Sequence, residues 1–442
     1  MQRRANGRGP GAWNGLVVGL AGLGLGACNV AATPETPATD QELVVCDIAA
    51  PCETPLPVKA VLVTMFEIGM DEGDRPGEFQ LWKERRPFDV AIPFPHSHHD
   101  LYYDPEAQVL AMVTGIGTAK STASTMALGL DTRFDLSKAY WLVAGIAGID
   151  PEDASIGSAV WSAYLVDGDL AHHIDAREKP EDWPTGYFAR RTSFPYDPNR
   201  PEPTGGEMFL INESLRDWAF ELTKDLELPD LEGLEETRAL YTEHEMAQKP
   251  PFVLKGGHIA AMTFWHGEIM NEWANQWVSY WSDGNTDFVT SAMEDTGTYT
   301  SIQYLDEIGR VDKDRFMVLR TGSNYTMQPP GKTAAEILLG ENEGYAGMEA
   351  SLESLYLVGG TVLDELTGNW YTYEYTIPTP DMLELRVFTR SRYRLSGLSV
   401  QLEKSGSNSV NFCSSSICNA ALSFVSLYCS QAALLGSVQT ST

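Results

Sequence analysis

The chain has 442 residues, and its 61 acidic and 31 basic side chains give a formal net charge of −30 at pH 7. A surface of this charge repels nucleic-acid phosphates and anionic lipid head groups, so neither is expected as a partner. The length is sufficient to bury a large core, either as one large α/β domain or as two smaller domains.

The N-terminal segment has the features of a signal peptide. Basic residues precede an apolar, Gly-rich run over 13–27, which is too short for a permanent membrane helix. The run ends in Leu-Gly-Ala-Cys at 25–28, which resembles the bacterial lipobox, in which the cysteine carries the lipid. We therefore predict residues 1–27 as a signal peptide and Cys28 as the lipidated residue. The alternative is an ordinary secretory signal in which Cys28 is incidental.

Residues 28–57 are predicted to tether the anchor to a folded domain. The stretch 31–39 is rich in Thr, Pro and Ala, as suits a flexible link. Because export implies an oxidising compartment, Cys46 and Cys52 are candidates for a small disulfide loop. No later run reaches the roughly 20 apolar residues that a spanning helix requires, so membrane contact is expected through the lipid anchor alone.

A regular alternation of strands and helices begins at residue 58. Apolar stretches without polar interruption are typical of strands in a sheet covered on both faces, and they occur at 58–66, 107–117, 138–150 and 157–170. The Ala- and Thr-rich stretch 118–130 predicts a helix packed closely on that sheet. The alternation predicts an α/β fold with helices on both sides of a central sheet.

The second half of the chain continues the same pattern after a Pro- and Asp-rich surface excursion over 171–205. Asn212 is a suitable cap for the first of its predicted helices, and Trp273 and Trp277 lie four apart on one face of the second, where core packing is expected. The helices are predicted at 212–228, 266–283 and 296–310, and the strands at 286–295 and 314–324.

We predict that residues 378–442 form an atypical C-terminal tail. Residues 405–442 contain no Asp, Glu, Lys or Arg, although 21% of the whole chain is charged. A change of composition this abrupt is typical of a segment foreign to the domain or of a disordered tail, so we assign it no function.

Three stretches with ligand-binding chemistry follow predicted strands, at the edge where open α/β sheets bind ligands. Glu67 lies at the end of the first strand. Gly115 and Gly117 follow the second strand and let the backbone approach a ligand, although a simple turn is the alternative. At the third, Glu294 is able to accept hydrogen bonds from a vicinal diol while Met293 contacts a sugar face. Without further information, Glu294 is equally a helix cap or a salt-bridge partner.

Longer stretches around these residues stand in the order and spacing of one protein family. They are TGIGTAKSTASTMALG (114–129), DWPTGYF (182–188), PPFVLKGG (250–257), FWHGEIMNEWAN (264–275), TSAMEDTGT (290–298) and VLRTGSNYTMQPPG (318–331). They resemble the purine nucleoside permease (nucleoside uptake) proteins of bacteria and fungi, within the nucleoside phosphorylase and nucleosidase superfamily. The resemblance covers residues 58–377. It implies a phosphorylase-like three-layer αβα fold with a central mixed, largely parallel sheet, purine nucleosides as ligands, no metal or cofactor, and a homo-oligomer as in related proteins.

The resemblance also implies how a nucleoside is held. Met293 and Glu294 match the superfamily's Met-Glu pair, which binds the ribose 2′ and 3′ hydroxyls. Phe264 falls where the phosphorylases stack an aromatic ring on the purine, and Trp265 extends that wall.

The residues implied for the chemistry depart from the phosphorylase pattern. Ser323 and Asn324 match the Ser-Asp loop that contacts the base, but an amide hydrogen-bonds the purine without protonating it. Glu67 lies near where nucleosidases hold a water. Thr114, with Gly115 and Gly117, lines the phosphate or water pocket, yet no arginine follows the turn to grip phosphate, and phosphate is put in doubt as a co-substrate.

Two further predictions concern a metal site and the function of the whole protein. The cluster His-Ser-His-His-Asp at 96–100 lacks the spacing of a metal site, and no metal is expected there. We expect an exported nucleoside-binding protein that takes part in uptake, with or without cleavage of the N-glycosidic bond. The alternatives are a phosphorylase or nucleosidase without a transport role, and a binding module that feeds a separate membrane transporter.

Overall fold

The computed structural model of the chain describes residues 54–383. The predicted signal peptide, the lipidation site Cys28 and the pair Cys46 and Cys52 lie outside these residues. So do most of the predicted tether and all but the first few residues of the predicted tail. None of the helices in the described part combines the length and the apolar character needed to cross a bilayer.

Most of the strands belong to one large mixed sheet, and two small pairs, β1 with β6 and β10 with β11, stand apart from it. The strands are β1 Leu56–Pro57, β2 Ala60–Thr64, β3 Val90–Ile92, β4 Leu101–Asp104, β5 Val109–Val113, β6 Phe134–Asp135, β7 Tyr140–Ile149, β8 Ala159–Ser162, β9 Tyr164–Asp167, β10 Ala171–His173, β11 Tyr187–Ala189, β12 Met208–Leu210, β13 Val253–Lys255, β14 Gly257–Ala260, β15 Phe288–Ala292 and β16 Phe316–Tyr325.

The helices lie between these strands and at the C-terminal side of the domain. They are α1 Gln80–Arg85, α2 Thr118–Leu130, α3 Glu213–Thr223, α4 Leu234–Arg238, α5 Glu268–Trp281, α6 Asp295–Glu307, α7 Ala334–Gly340, α8 Met348–Gly368 and α9 Trp370–Tyr373.

Strand β7 is the centre of the large sheet. One of its edges pairs in parallel with β2 and then, near its carboxyl end, antiparallel with β15. Its other edge pairs in parallel with β16 along nearly the whole strand. Six of the eleven strand pairings in this sheet are parallel, which is a mixed arrangement.

Helices cover both faces of the sheet, so the predicted three-layer α/β architecture is confirmed. Alternate residues of β7 enter opposite cores, because side chains alternate across a strand. Trp141 and Val143 pack in the core that contains α6, whereas Leu142 and Ala144 pack in the core that contains α8.

Helices α2 and α6 approach each other closely through small residues. A side chain at Gly297 of α6 would place its Cβ 2.7 Å from the backbone oxygen of Thr118, at the start of α2. Larger residues there would therefore push the two helices apart. This contact sets the first turn of α6, and the residues just before it, against the glycine turn that precedes α2.

Several local predictions are confirmed. Asn212 caps α3 by accepting a hydrogen bond from the backbone N–H of Leu215, and both Trp273 and Trp277 are buried in the core. The strand predicted at 157–170 is wrong in one respect, because Ala163 divides it into β8 and β9, which pair with different neighbours.

Candidate functional site

A cavity of about 410 Å³ opens where the carboxyl ends of several central strands meet. Its wall combines the ends of β2, β7 and β15, the second half of β16 and the loops that follow them. Open α/β sheets bind ligands at this edge. The polar and charged lining residues are Arg75, Glu78, Thr263, Ser291, Glu294, Arg320, Ser323, Asn324, Thr326, Glu341 and Asn342.

Glu294 is buried in this wall, with 4% of its surface exposed. It follows β15 and directly precedes α6, beside Met293, which also lines the cavity. Its Oε1 accepts a hydrogen bond from the backbone N–H of Gly117 at 2.8 Å, and its Oε2 accepts one from Arg320 Nη2 at 3.1 Å. The carboxylate is therefore held from two sides in a fixed orientation.

The glycine turn before α2 thus serves Glu294. Gly115 and Gly117 have φ angles of +83° and +97°, where side chains are disfavoured, which explains glycine at both positions. Neither glycine lines the cavity, and Thr114 is fully buried with its hydroxyl donating to the backbone oxygen of Gly115. The N–H group of Gly117 is directed at a carboxylate of the protein itself.

A buried arginine, which the sequence analysis did not single out, organises the acidic wall. Arg320 is 1% exposed, and its guanidinium contacts Asp295 with Nε at 3.2 Å and Nη2 at 2.7 Å. His258 Nε2 lies 2.8 Å from the same carboxylate. Although burial alone would raise it, Arg320 and His258 hold the pKa of Asp295 well below its usual range. An arginine directly after the apolar run 316–319 of a strand was the signal available in the sequence.

Glu78 is the second carboxylate that faces the cavity, and it is 3% exposed. Its two oxygens accept hydrogen bonds from the backbone N–H groups of Met65 at 2.7 Å and Ile146 at 2.8 Å. Burial raises the pKa of Glu78 to about 8, nearby Arg320 opposes that rise, and Glu294 adds to it. A carboxyl group in this state is able to exchange a proton near neutral pH.

Glu78 and Arg320 approach each other over Gly145 of β7. A Cβ at Gly145 would lie 2.5 Å from Arg320 Nη1 and 2.7 Å from Glu78 Oε1. A residue with a side chain would therefore separate the two groups, so glycine is required for their juxtaposition.

Glu67, predicted to hold a water, is placed differently. Its carboxylate accepts hydrogen bonds from the backbone N–H groups of Ile68, Gly77, Phe79 and Gln80, and it does not line the cavity. The side chain braces the loop that carries Glu78. Glu78, not Glu67, is the carboxylate of this loop that lines the cavity.

Aromatic residues line the opposite side of the cavity. Phe264, Trp265 and Tyr345 belong to this wall. The rings of Phe264 and Tyr345 are nearly parallel, at an interplanar angle of 1° with centroids 6.1 Å apart. Two parallel aromatic faces offer a flat ligand a stacking surface on each side.

Asn324, which lies in the same strand as Arg320, has its amide already engaged. Its Nδ2 donates to the backbone oxygen of Tyr325 at 3.3 Å and to Glu341 Oε1 at 3.2 Å. Its Oδ1 accepts from the Ser323 hydroxyl at 3.0 Å. Both N–H groups are in use, so the amide holds Glu341 rather than pointing an unused donor at a ligand.

Glu341 was not predicted from the sequence. It lies in a short 3₁₀ turn after α7, with 11% of its side chain exposed. Burial raises its pKa to about 7. His266 Nδ1 is 3.9 Å from Glu341 Oε1, but burial lowers the pKa of His266 to about 4, so this ring is neutral at pH 7.

The structure therefore gathers Met293, Glu294, Phe264, Trp265, Ser323 and Asn324 around one cavity. It leaves Glu67, Thr114, Gly115 and Gly117 outside the lining. Among residues 54–383, no group of three or more His, Cys, Asp or Glu side chains is arranged to hold a metal ion. His99 of the predicted His-rich cluster contacts Asp71, with Nε2 2.9 Å from Oδ1.

Carboxylates outnumber free cationic groups around the cavity. Glu78, Glu294 and Glu341 line it, while Arg320 is committed to two carboxylates and Arg75 lies exposed on the lining. Among the described lining residues, no buried arginine is free to bind a dianion such as phosphate. A neutral ligand with hydroxyl donors fits the same wall.

The comparison with known proteins gives matches that agree with one another. The family model described as purine nucleoside permease matches residues 57–378. A purine nucleoside permease of Candida albicans is 30% identical over 328 residues, which cover 71% of this chain and 75% of that protein. A probable purine nucleoside permease of Schizosaccharomyces pombe is 27% identical over 278 residues, covering 61% and 79%.

Solved structures also match the described part of the chain. The 5′-methylthioadenosine/S-adenosylhomocysteine nucleosidase of Neisseria meningitidis matches at 15% identity and a TM-score of 0.40, covering 70% of this chain and 100% of that one. The futalosine hydrolase of Helicobacter pylori matches at 17% identity and a TM-score of 0.40, covering 70% and 97%.

Proposed function

This chain belongs to the purine nucleoside permease family, and from that premise we propose that its cavity binds a purine nucleoside, with the ribose on Glu294 and the base against the aromatic wall. The observation that carries the proposal is the buried Glu294, which lines the cavity and is fixed by Gly117 and Arg320. A carboxylate held in this way is oriented before a ligand arrives, which lowers the cost of binding.

The ribose is expected to bind through its 2′ and 3′ hydroxyls. A carboxylate has about four acceptor positions, and Glu294 already accepts hydrogen bonds from Arg320 and from the backbone N–H groups of Gly117 and Met293, so limited capacity remains for the ribose hydroxyls. Hydrogen bonds to a charged acceptor are stronger than those between neutral groups. Met293, beside it in the lining, supplies an adaptable apolar contact to the sugar face.

The base is expected to stack on Phe264 and Tyr345. Insertion of a purine between two rings needs a separation of about 7 Å, twice the contact distance of about 3.5 Å. The two centroids are 6.1 Å apart, so entry of the base requires the rings to open by about 1 Å or more. Tyr345 lies on the segment between α7 and α8, and a small movement of that segment is sufficient.

We further propose that the bound nucleoside is cleaved by water. Glu78 lies in the lining close to Glu294 and Arg320, and its raised pKa makes the ionised form of the group, a minority at pH 7, a stronger base for a proton of water. The carboxylates of the same wall favour the positive charge that develops on the ribosyl ring in such reactions. The commitment of Arg320 to Glu294 and Asp295 leaves no buried arginine in the described lining to hold phosphate as the attacking group.

The place of the protein in the cell is also a proposal. We propose that residues 1–27 direct export, that lipid on Cys28 anchors the chain to a membrane, and that the domain captures purine nucleosides for uptake. Entry into the cell would then use a separate membrane transporter. The alternative is a nucleosidase or phosphorylase without a transport role.

One experiment separates these functions. The full chain is incubated with inosine or adenosine, with and without inorganic phosphate, while free base and nucleoside binding are measured. We expect free base to appear equally with and without phosphate. Release that depends on phosphate would indicate phosphorolysis, saturable binding without release would indicate capture alone, and absence of binding would refute the proposed site.

A further inference from the structure

Asp295 is a second acidic side chain on Arg320, directly after the Glu294 that is proposed to bind the ribose. It is completely buried and does not line the cavity. Its Oδ1 lies 3.2 Å from Arg320 Nε, and its Oδ2 lies 2.7 Å from Arg320 Nη2. Glu294 receives one longer contact, from the same Nη2 at 3.1 Å. The fork of the guanidinium therefore rests on Asp295 rather than on Glu294.

Asp295 is itself fixed by further buried contacts. His258 Nε2 lies 2.8 Å from Asp295 Oδ2, and His258 Nδ1 lies 2.9 Å from the hydroxyl oxygen of Thr290. Asp295 also begins α6, and the N-terminus of a helix favours a negative charge. None of these three residues lines the cavity, so a ligand does not displace the contacts between them.

Glu294 has fewer free acceptor positions than a ribose needs. A carboxylate has about four, and three are taken by N–H groups of Gly117 at 2.8 Å, Arg320 at 3.1 Å and Met293 at 3.3 Å. About one position remains for the 2′ and 3′ hydroxyls, so one contact must loosen when both hydroxyls bind. Arg320 is able to yield, because its Nη2 keeps the 2.7 Å contact with Asp295.

We propose that Asp295 is a positioning residue for ribose recognition, which holds Arg320 in place while Glu294 turns from the guanidinium to the ribose hydroxyls. This role rests on the function proposed above and deepens it. Without the charge of Asp295, the guanidinium would be attracted more strongly to Glu294 and would occupy the acceptor positions that the ribose needs. Glu78, the third acidic group near Arg320, is already held by two backbone N–H groups and does not replace Asp295.

The binding test compares adenosine with 2′,3′-dideoxyadenosine on the full-length wild type and on Asp295→Asn by calorimetry. Asparagine keeps the side-chain volume and one acceptor oxygen but removes the charge. The wild type should bind adenosine about 100-fold more tightly than the dideoxy compound, and in the variant this preference should be about tenfold smaller. Asp306→Asn breaks the contact of a carboxylate with Lys313 near the other end of α6 and should keep the wild-type preference.

Binding of free adenine separates this role from a general effect on the fold. The base is proposed to bind at the aromatic wall, so the Kd for adenine should be the same in the wild type and in Asp295→Asn. If Asp295 only stabilised the fold, the substitution would weaken the binding of adenine, adenosine and dideoxyadenosine together. The preference for adenosine over the dideoxy compound would then stay at the wild-type value.

A crystal structure of the wild type with a C-nucleoside analogue of adenosine tests the role without a substitution. Such an analogue joins base and ribose by a carbon–carbon bond, which water does not cleave. Arg320 should stay within about 3.2 Å of Asp295, while its Nη2 should lie more than about 3.5 Å from Glu294 Oε2. A complex in which Arg320 leaves Asp295, or keeps its contact with Glu294, would overturn the role of Asp295.

The outcomes distinguish this role from the function on which it rests. If the wild type binds neither nucleoside, or binds both with equal affinity, the proposed function fails. If the wild type prefers adenosine and Asp295→Asn keeps the full preference, the role of Asp295 is overturned while the proposed function stands.

Discussion

Arg320 Nη2 lies 3.1 Å from Glu294 Oε2, and both side chains are almost completely buried. The same nitrogen contacts Asp295 at 2.7 Å, so one guanidinium compensates two adjacent carboxylates. The arginine fixes the direction of the Glu294 side chain. Arg320 also occupies one of the acceptor positions of Glu294. The ribose hydroxyls are therefore limited to the acceptor positions that remain.

Removal of the arginine should destabilise the fold. Arg320→Met leaves Glu294 and Asp295 buried without a cation, and the loss of one partner of a buried ion pair costs about 3–5 kcal/mol. The free energy of unfolding, measured by urea denaturation, should fall by about that amount. The control is Arg177→Met, which breaks an exposed pair with Asp175 and should change the free energy of unfolding by less than about 1 kcal/mol. Equal stability of the two variants would contradict the role given to Arg320.

Glu78 should be required for cleavage but not for binding. Glu78→Gln keeps the shape of the side chain but is unable to accept a proton from water, so kcat/KM for inosine should fall about 100-fold to 10 000-fold. Calorimetry should give a Kd for adenosine close to that of the wild type. Glu106→Gln, an exposed carboxylate outside the cavity, is the control. Cleavage at the wild-type rate in Glu78→Gln would assign the base to another residue.

Glu78 should also make stability depend on pH. Its pKa is about 8 in the folded chain, with Arg320 and Glu294 facing it, and about 4.3 in an unfolded chain. At a pH between these two pKa values, Glu78 is protonated in the folded state and ionised in the unfolded state. The stabilisation is therefore complete below the unfolded pKa and falls as pH rises through the folded pKa, by up to about 1.4 kcal/mol per pH unit.

The measurement is a series of urea denaturations of the wild type and Glu78→Gln between about pH 5 and 8. The wild type should lose stability with rising pH more steeply than the variant, because the amide does not titrate. Glu106→Gln should follow the wild type. Parallel curves for the wild type and Glu78→Gln would show that Glu78 is ionised in the folded chain.

Tyr345 should contribute to binding of the base. Tyr345→Ala removes one of the two parallel rings, and aromatic stacking of this kind is worth about 0.5–1.5 kcal/mol. The Kd for adenosine should rise about threefold to tenfold, whereas binding of free ribose should not change. Tyr371→Ala, which removes a tyrosine that is 78% exposed, is the control. An unchanged Kd in Tyr345→Ala would place the base elsewhere.

The parts of the fold that follow from local pattern were predictable from the sequence. At the centre of the sheet, β7 is a continuous apolar run and β16 begins with one, over 316–319. The turn at Gly115 and Gly117 was predictable because both residues are glycine. Met293 and Glu294 directly follow a strand, so their place at the carboxyl edge of the sheet follows from the strand itself.

The rest depends on contacts between distant parts of the chain. Glu78 and Arg320 become a pair only when β2 and β16 are placed on either side of β7, and no local spacing signals this. Helix α8 was not predicted, and Gly359 and Gly360 interrupt its helical pattern. A Cβ at Gly359 would lie 2.9 Å from Trp82, so the glycine serves close packing of the folded protein.

The residues on the side of the cavity that is proposed to bind the base were also not predictable from the sequence. Glu341 lies in a short turn without periodic pattern, and its burial depends on Asn324 and the cavity wall. Asn324 itself was predicted, but the use of both its N–H groups by the protein was visible only in the structure.

The central claim is that Glu294 binds the ribose hydroxyls of a purine nucleoside. Calorimetric titration of the wild type and Glu294→Gln with adenosine and with 2′,3′-dideoxyadenosine tests it most directly, with the exposed Glu307→Gln as control. The wild type should bind adenosine about 100-fold more tightly than the dideoxy compound, and the preference should shrink to about tenfold or less in Glu294→Gln. Equal affinity of the wild type for the two compounds, or an unchanged preference in Glu294→Gln, would contradict it.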